Sequence, residues 1–193
     1  MAYAHKRPLV DSGDTYERAF GKSQKAWLRP FGRGDLPAYW QAVNDPEIAH
    51  FTGHVPPLAF EELEAWYAQC VMGQEGSLDR YFSVCEPGSE VFVGCVWLWN
   101  SNPLDGHCEL SVVISEKSLW GTGIGTEAVR LAVEHAFDEL GLEKVWLRVD
   151  AWNERAVKSY EKCGFETEGR LRRHRRTPDG WSDMLVMSVL RSA

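Results

Sequence analysis

The sequence lacks any run of about 18 consecutive apolar residues, the length that a membrane-spanning helix requires. It also has no apolar core near its N-terminus followed by small residues, so we do not expect a secretory signal. Surplus positive charge is missing too, since the formal net charge is −7. A generic nucleic-acid binder needs surplus cations to displace counterions from phosphates, so this class is disfavoured.

Cysteine is sparse, and its spacing indicates no paired site. The five cysteines are odd in number and widely spaced, which predicts neither a disulfide framework nor a CxxC metal pair. We therefore expect no bound metal and a reducing, cytoplasmic setting. The 193 residues suit one domain, and 44% hydrophobic and 25% charged residues are typical of a globular protein.

The chain shows one candidate boundary and no internal repeat. Residues 1–24 are polar and carry no sustained periodicity, which predicts a loosely held arm that could also contribute to a homodimer. Residues 25–193 read as a single folded domain.

The first half of that domain predicts one strand and two helices. Residues 25–30 form the strand, and Asp35 is expected to cap a helix that Asp45 and Pro46 bring to an end. A second helix is expected after Pro57, where apolar residues recur at steps of three and four.

The second half predicts strands first and then an alternation of helix and strand. Three strand patterns form an antiparallel meander, followed by a helix over residues 126–140 with Gly141 as its left-handed C-cap. A strand, a short helix opened by Asn153 and a hairpin turning at residues 177–180 complete the chain. The fold class is α+β, with a mixed, mostly antiparallel central sheet flanked by helices.

A glycine-rich loop lies between the last meander strand and the long helix. It reads Trp120-Gly121-Thr122-Gly123-Ile124-Gly125-Thr126. Three glycines allow main-chain N–H groups to approach a ligand, and the start of the helix adds unpaired donors and the positive end of its dipole. The pattern favours a pyrophosphate site, although a glycine cluster can also be a simple turn.

Two other nucleotide-binding classes do not fit this loop. It lacks the Gly-Lys-Ser/Thr ending of a P-loop, and it follows an antiparallel meander instead of opening a βαβ unit. Nucleotide hydrolysis and dinucleotide redox chemistry are therefore poorly supported.

The loop and the segment after it, WGTGIGTEAVRLAVEHAF and KVWLRVDAWNERAVKSYEKCGF, resemble the acetyl-CoA core of the GNAT superfamily of N-acetyltransferases. The resemblance covers residues 25–190 in element order, and its specific part spans residues 109–165. Within the superfamily the chain is most similar to the branch of ribosomal-protein alanine and spermidine acetyltransferases. The resemblance implies a sheet that splays between its fourth and fifth strands.

The resemblance also implies where acetyl-CoA binds. The strand before the loop would pair with the pantetheine arm, and the loop would hold the pyrophosphate. Trp120 stands where the family usually has Gln or Arg, so a polar contact is lost while the main-chain donors stay. The implied residues are Val112, Val113, Ile114, Gly121, Thr122, Gly123, Ile124, Gly125 and Thr126, with Asn153 and Ala156 on the next helix.

Two residues are candidate catalytic groups. An alkyl amine with a pKa of about 10.4 is mostly protonated at neutral pH, so a general base is useful. Glu109 points away from the apolar face of its strand and matches the family's base, although it could be an ordinary strand carboxylate. Tyr160 matches the family's acid for the thiolate, although it also falls on an apolar helix stripe. We expect the N–H of Val113 to stabilise the oxyanion.

Residues 170–176 carry five arginines in an otherwise acidic chain. They predict either recognition of an acidic substrate or ribosomal RNA, or a solvated hairpin paired with surplus acids. Two hypotheses therefore compete with catalytic transfer to a protein N-terminus or small-molecule amine: a non-catalytic acetyl-CoA-binding regulator, and a ribosome-associated RNA binder. On the meander, Trp97 and Trp99 share a face that could border an acceptor pocket.

Overall fold

The computed structural model describes residues 21–53, 56–73, 76–177 and 180–192. Within them, eight strands form one sheet in the order β1-β2-β3-β4-β5-β6-β8-β7. The strands are β1 Gly21–Lys22, β2 Trp27–Pro30, β3 Arg80–Cys85, β4 Phe92–Asn102, β5 His107–Ile114, β6 Lys144–Asp150, β7 Glu166–Thr177 and β8 Gly180–Leu190.

Five α-helices accompany the sheet in the same described residues. They are α1 Leu36–Asn44, α2 Pro46–Thr52, α3 Phe60–Trp66, α4 Ile124–Asp138 and α5 Glu154–Glu161. No helix in the described part of the chain is both long and apolar enough to cross a membrane.

The sheet is antiparallel everywhere except between β5 and β6. These two strands, both described in full, pair at only three positions, from His107 with Lys144 to Glu109 with Trp146. Beyond Glu109 they separate. They are the fourth and fifth strands of the sequence prediction, so the α+β class, the mixed sheet and the splay are confirmed.

Helix α4 covers the sheet on one face and explains the position of the core. The predicted stripe of Val129, Val133 and Ala136 is buried, while Leu140 packs at its border. Gly141 has a φ of +68°, and Leu142 N–H donates to the carbonyl of Ala136, which is the expected left-handed ending of a helix. The opposite face carries an aromatic cluster centred on Phe31.

The N-terminal boundary differs from the prediction in one respect. Strand β1 pairs with β2 through Gly21 and Lys22, so the sheet begins four residues before the expected boundary at Lys25. Residues 1–20 of the predicted arm lie outside the described residues, as do Pro178 and Asp179 of the predicted hairpin turn.

The capping role predicted for Asp35 is wrong. Helix α1 does begin at Leu36, but Asp35 makes no side-chain cap. Its carboxylate is buried and accepts hydrogen bonds from Arg29 at 2.6 and 2.7 Å, from Gly32 N–H at 2.9 Å and from Ser83 Oγ at 2.7 Å. Pairing with the part-buried Arg29 outweighs capping, because a charge removed from water is costly when it has no partner.

The cap that does form belongs to a helix that the sequence pattern did not reveal. Asp45 was expected only to end α1, yet its Oδ1 accepts from the N–H groups of Glu47 and Ile48 and so begins α2. Helices α1 and α2 lie beside the opening between β5 and β6, where Tyr39, Ile48 and Phe51 line it.

We predict that Asp35→Asn lowers the free energy of unfolding at pH 7 by about 3 kcal/mol, since it leaves the part-buried Arg29 without its charged partner. Burial would raise the pKa of Asp35, but the hydrogen bonds from Arg29, Gly32 and Ser83 together hold it below its ordinary value of 3.8. A lowered folded-state pKa stabilises the fold above the unfolded value, and this contribution is lost as the pH falls through the folded-state pKa. Urea unfolding of wild type and Asp35→Asn at pH 7 measures the loss of stability. The same comparison below pH 4 measures how much of that difference disappears with acid.

The matched control is the exposed ion pair between Arg33 and Glu64. Glu64→Gln should leave the urea midpoint unchanged, because exposed pairs add little to stability. Equal midpoints for wild type and Asp35→Asn at pH 7 would contradict the assignment.

Candidate active site

The separation of β5 from β6 opens a cleft of about 650 Å³. Its walls come from these two strands, the start of α4, helix α5, and helices α1 and α2. It is lined by eleven of the thirteen residues predicted for the site: Glu109, Val112, Val113, Ile114, Gly121, Gly123, Gly125, Thr126, Asn153, Ala156 and Tyr160.

Strand β5 presents main-chain groups to this cleft in an alternating pattern. Ser115 N–H donates to Val93 O at 2.8 Å, so this residue faces β4. Main-chain groups alternate in direction along an antiparallel strand. Those of Val113, which lies opposite Cys95, therefore also point toward β4, whereas those of Val112 and Ile114 point toward the opening. The alternation places the N–H of Val113 on the β4 side of the strand, and its role in stabilising the oxyanion stays a prediction.

The glycine loop presents a row of unpaired donors. Gly121 and Gly123 have φ values of +80° and +94°, which side chains rarely allow. Among the described residues, no protein acceptor is found for the main-chain N–H groups of Gly121, Gly123, Ile124, Gly125 and Thr126. Such a row at the start of a helix fits a diphosphate.

Two predicted binding residues do not line the cleft with their side chains. Ile124 is 4% exposed and packs in the core, so only its N–H is available to a ligand. Thr122 directs both its N–H and its hydroxyl at the carbonyl of Leu119, at 3.3 and 2.7 Å. Thr122 thus shapes the loop and has no donor left for a phosphate.

Trp120 has a structural role beside the loop. Its indole N–H donates to the carbonyl of Ile114 at 2.8 Å, which joins the loop to the open edge of β5. The guanidinium of Arg155 lies over the Trp120 ring at 4.7 Å. Arg155 therefore places a cation next to the position where the family usually has a polar side chain.

Helix α5 brings Tyr160 to the cleft. Asn153 caps this helix by accepting a hydrogen bond from Ala156 N–H at 3.2 Å, as predicted. Tyr160 is 9% exposed, and burial raises its pKa to about 12. No hydrogen bond to its hydroxyl is found from residues that the structure describes, so the hydroxyl keeps its proton and stays available to a ligand.

Glu109 is a buried acid, not a half-exposed strand carboxylate. It is 5% exposed, and its Oε1 accepts from Arg148 Nε at 3.0 Å and from Nη2 at 2.9 Å. Arg148 is a site residue that was not predicted from the sequence. A cation inside an otherwise apolar strand pattern was its only signal, and the partner lies 39 residues away.

A second ion pair closes the same end of the cleft. Asp150, 3% exposed, accepts from Ser182 Oγ at 2.6 Å and pairs with Arg175 at 2.7 Å. Arg175 also donates to the carbonyl of His50 at 2.8 Å, so it joins β7 to α2. We call Glu109, Arg148, Asp150 and Arg175 the acceptor end of the cleft.

The arginine segment is largely engaged within the protein. Besides Arg175, Arg170 pairs with Asp183 at 2.8 Å, and Arg176 lies over Trp181 at 5.8 Å. These contacts match the alternative of a hairpin paired with surplus acids. In residues 21–53, 56–73, 76–177 and 180–192, no group of His, Cys, Asp and Glu is arranged to hold a metal ion.

Comparison with known proteins identifies the family. Residues 25–166 match the family model of the acetyltransferase (GNAT) domain. The chain belongs to the GNAT acetyltransferase family. It is an acetyl-CoA-dependent N-acetyltransferase, as the resemblance implied.

Individual GNAT relatives differ in the amines they are named for. The chain is 34% identical to the spermidine N(1)-acetyltransferase of Escherichia coli K12 over 75% of this chain and 74% of that one. It is 29% identical to the aminoglycoside N(6')-acetyltransferase type 1 of Klebsiella pneumoniae over 90% and 88%. The crystal structure of spermidine N-acetyltransferase from Vibrio cholerae with CoA and spermine gives a TM-score of 0.80 at 27% identity, covering 87% and 96%.

The cleft of this GNAT domain fits acetyl-CoA in two independent ways. The unpaired N–H row of the glycine loop suits the diphosphate. The main-chain groups of Val112 and the N–H of Ile114, which point toward the opening, suit the amides of a pantetheine arm, while the carbonyl of Ile114 is taken by Trp120. Acetyl-CoA supplies the activated acetyl thioester.

We predict that Gly123→Ala weakens acetyl-CoA binding about tenfold, because left-handed backbone costs an L-residue about 1–2 kcal/mol and the loop must shift. Its Cβ would also lie 3.5 Å from Lys25 Nζ. Titration calorimetry measures the change. Gly169→Ala is the control, since Gly169 has no positive φ and open space around it; equal affinity of both variants would contradict the role of the loop.

Proposed function

We propose that this enzyme transfers acetyl directly to the primary amine of a small molecule within a ternary complex, with Glu109 as general base and Tyr160 as general acid. The observation that carries the proposal is convergence: both groups line the one cleft that also holds the free loop donors. The chain's own residues can therefore bind the coenzyme and handle both protons.

Glu109 is placed to accept the proton of the amine. Both bonds from Arg148 reach Oε1, and no donor from the described residues reaches Oε2. Arg148 thus fixes the carboxylate while one oxygen stays open to the cleft. That oxygen can take the proton directly or through a water molecule.

Tyr160 is suited to return a proton to the leaving sulfur. Its pKa of about 12 keeps it a phenol at neutral pH, and no protein acceptor among the described residues competes for its hydrogen. Ser159, the neighbouring hydroxyl, lies 2.6 Å from Thr126 Oγ1 and is engaged between α5 and α4. Tyr160 is therefore the better donor.

A covalent acetyl-cysteine route is disfavoured. Burial raises the pKa of Cys163 to about 11 and that of Cys108 to about 12, so both remain thiols at neutral pH. The thiolate is the nucleophilic form of cysteine, and neither residue lines the cleft. Direct attack by the amine needs no such intermediate.

The two competing hypotheses receive less support. A regulator that only binds acetyl-CoA would not require a buried base with one open oxygen and a phenol without a partner. An RNA-binding hairpin would need free arginines, and three of the five are engaged within the protein. Binding of ribosomal RNA, a homodimer and a cytoplasmic location stay predictions.

We predict that Glu109→Gln and Tyr160→Phe each lower kcat about a hundredfold, the size of a typical general acid or base contribution. Acetyl-CoA affinity should stay nearly unchanged, because neither side chain belongs to the loop. Thiol release across a panel of amines gives kcat, and calorimetry gives the affinity. Ser159→Ala is the matched control and should retain activity; unaltered rates in both main variants would reject the assigned roles.

A further inference from the structure

The charged residues that line the cleft are mostly basic. Among the lining residues that the structure describes, the two acids are Glu109 and Asp150, and the five bases are Arg148, Arg155, Lys158, Lys162 and Arg175. The lysines and Arg155 lie on α5 or directly after it, near the glycine loop. Both acids lie at the acceptor end, each in contact with an arginine.

Asp150 is not available to an acceptor amine. Its two oxygens are taken by Ser182 and Arg175, and the residue is 3% exposed. A cationic substrate would have to displace a buried arginine to reach it, and breaking a buried pair is costly. Among the described residues that line the cleft, only Glu109 keeps an open carboxylate oxygen at this end, its Oε2.

Arg148 offers open donors beside that oxygen. It uses Nε and Nη2 on Glu109, while Nη1 has no partner among the described residues. Its side chain is 37% exposed, and the residue lines the cleft. A guanidinium binds a carboxylate through two parallel N–H groups, a geometry that its free edge can still provide.

We infer that the acceptor is an amino acid or a similar small amine bearing a carboxylate, with its amine at Glu109 Oε2 and its carboxylate on the free edge of Arg148. This inference rests on the proposed function and names its substrate class. An open base oxygen beside an open guanidinium edge is complementary to a neighbouring amine and carboxylate. The charges of Glu109 and Arg148 sum to zero, and so do those of the ammonium and the carboxylate of such a substrate.

The same arrangement disfavours a polycationic acceptor. A second ammonium near the amine would meet Arg148, and like charges at close range repel. No unpaired acid among the described lining residues would compensate that charge. The class named here therefore differs from the polyamines and aminoglycosides of the relatives' names.

Matched substrates that differ only by a carboxylate test the inference. L-lysine against cadaverine, and L-phenylalanine against phenethylamine, should each give a kcat/KM at least about tenfold higher for the carboxylated member, the size of a hydrogen-bonded charge contact. In the presence of CoA, L-lysine should also raise Tm more than cadaverine does. A preference for the decarboxylated members in both assays overturns the inference and leaves the proposed function standing.

Variants distinguish a direct contact between Arg148 and the substrate carboxylate from a general effect of the positive charge in the cleft. Arg148→Gln should bring the ratio of kcat/KM within each pair close to one, and Arg148→Lys should keep part of the preference. Arg155→Gln removes a cleft cation near the loop and should leave the ratio unchanged. If the kcat/KM ratio within each pair is the same in Arg148→Gln as in wild type, the inference is overturned. If the wild-type protein shows no turnover with any amine and does not bind acetyl-CoA, the proposed function itself is refuted. The comparison of kcat/KM within each substrate pair is made on the wild-type enzyme, so it tests the inference even if a variant does not fold.

Discussion

The separation of β5 from β6 after Glu109 is the constraint on which the site depends. Two adjacent parallel strands would normally satisfy each other's main-chain groups, and here the pairing stops after three positions. The unpaired edge of β5 becomes a binding surface, and the start of α4 and helix α5 line the gap. In the described residues the cleft thus arises where sheet pairing stops.

Much of this arrangement could be predicted from sequence, because local patterns determine it. The glycines of the loop, the stripe on α4 and the cap at Asn153 are each read within a few residues, and the structure places them as expected. Asp35 shows the limit of local reading. Its position before a helix is typical of a cap, but Arg29 and Ser83, brought close only by folding, determine where its carboxylate points.

Contacts between residues far apart in the chain could not be predicted from the sequence. Arg148 reaches Glu109 only because two strands pair in one register, and Arg175 reaches Asp150 only because the last hairpin folds across the sheet. The direction of the Val113 N–H likewise depends on which residues of β4 lie opposite. Local sequence patterns therefore predict the fold and the glycine loop, while the acceptor end depends on the register of distant strands.

The outer strand β7 carries its arginines along the free edge of the sheet. Charged side chains on an edge strand keep other chains from adding to it, because like charges would be forced together. The pairs with Asp183 and Asp150 hold Arg170 and Arg175 in place, while Arg172 and Arg173 remain exposed along the strand. A strand that added to this edge beside Arg172 and Arg173 would have to bring acidic or polar side chains there, because a row of cations would be forced against these two arginines.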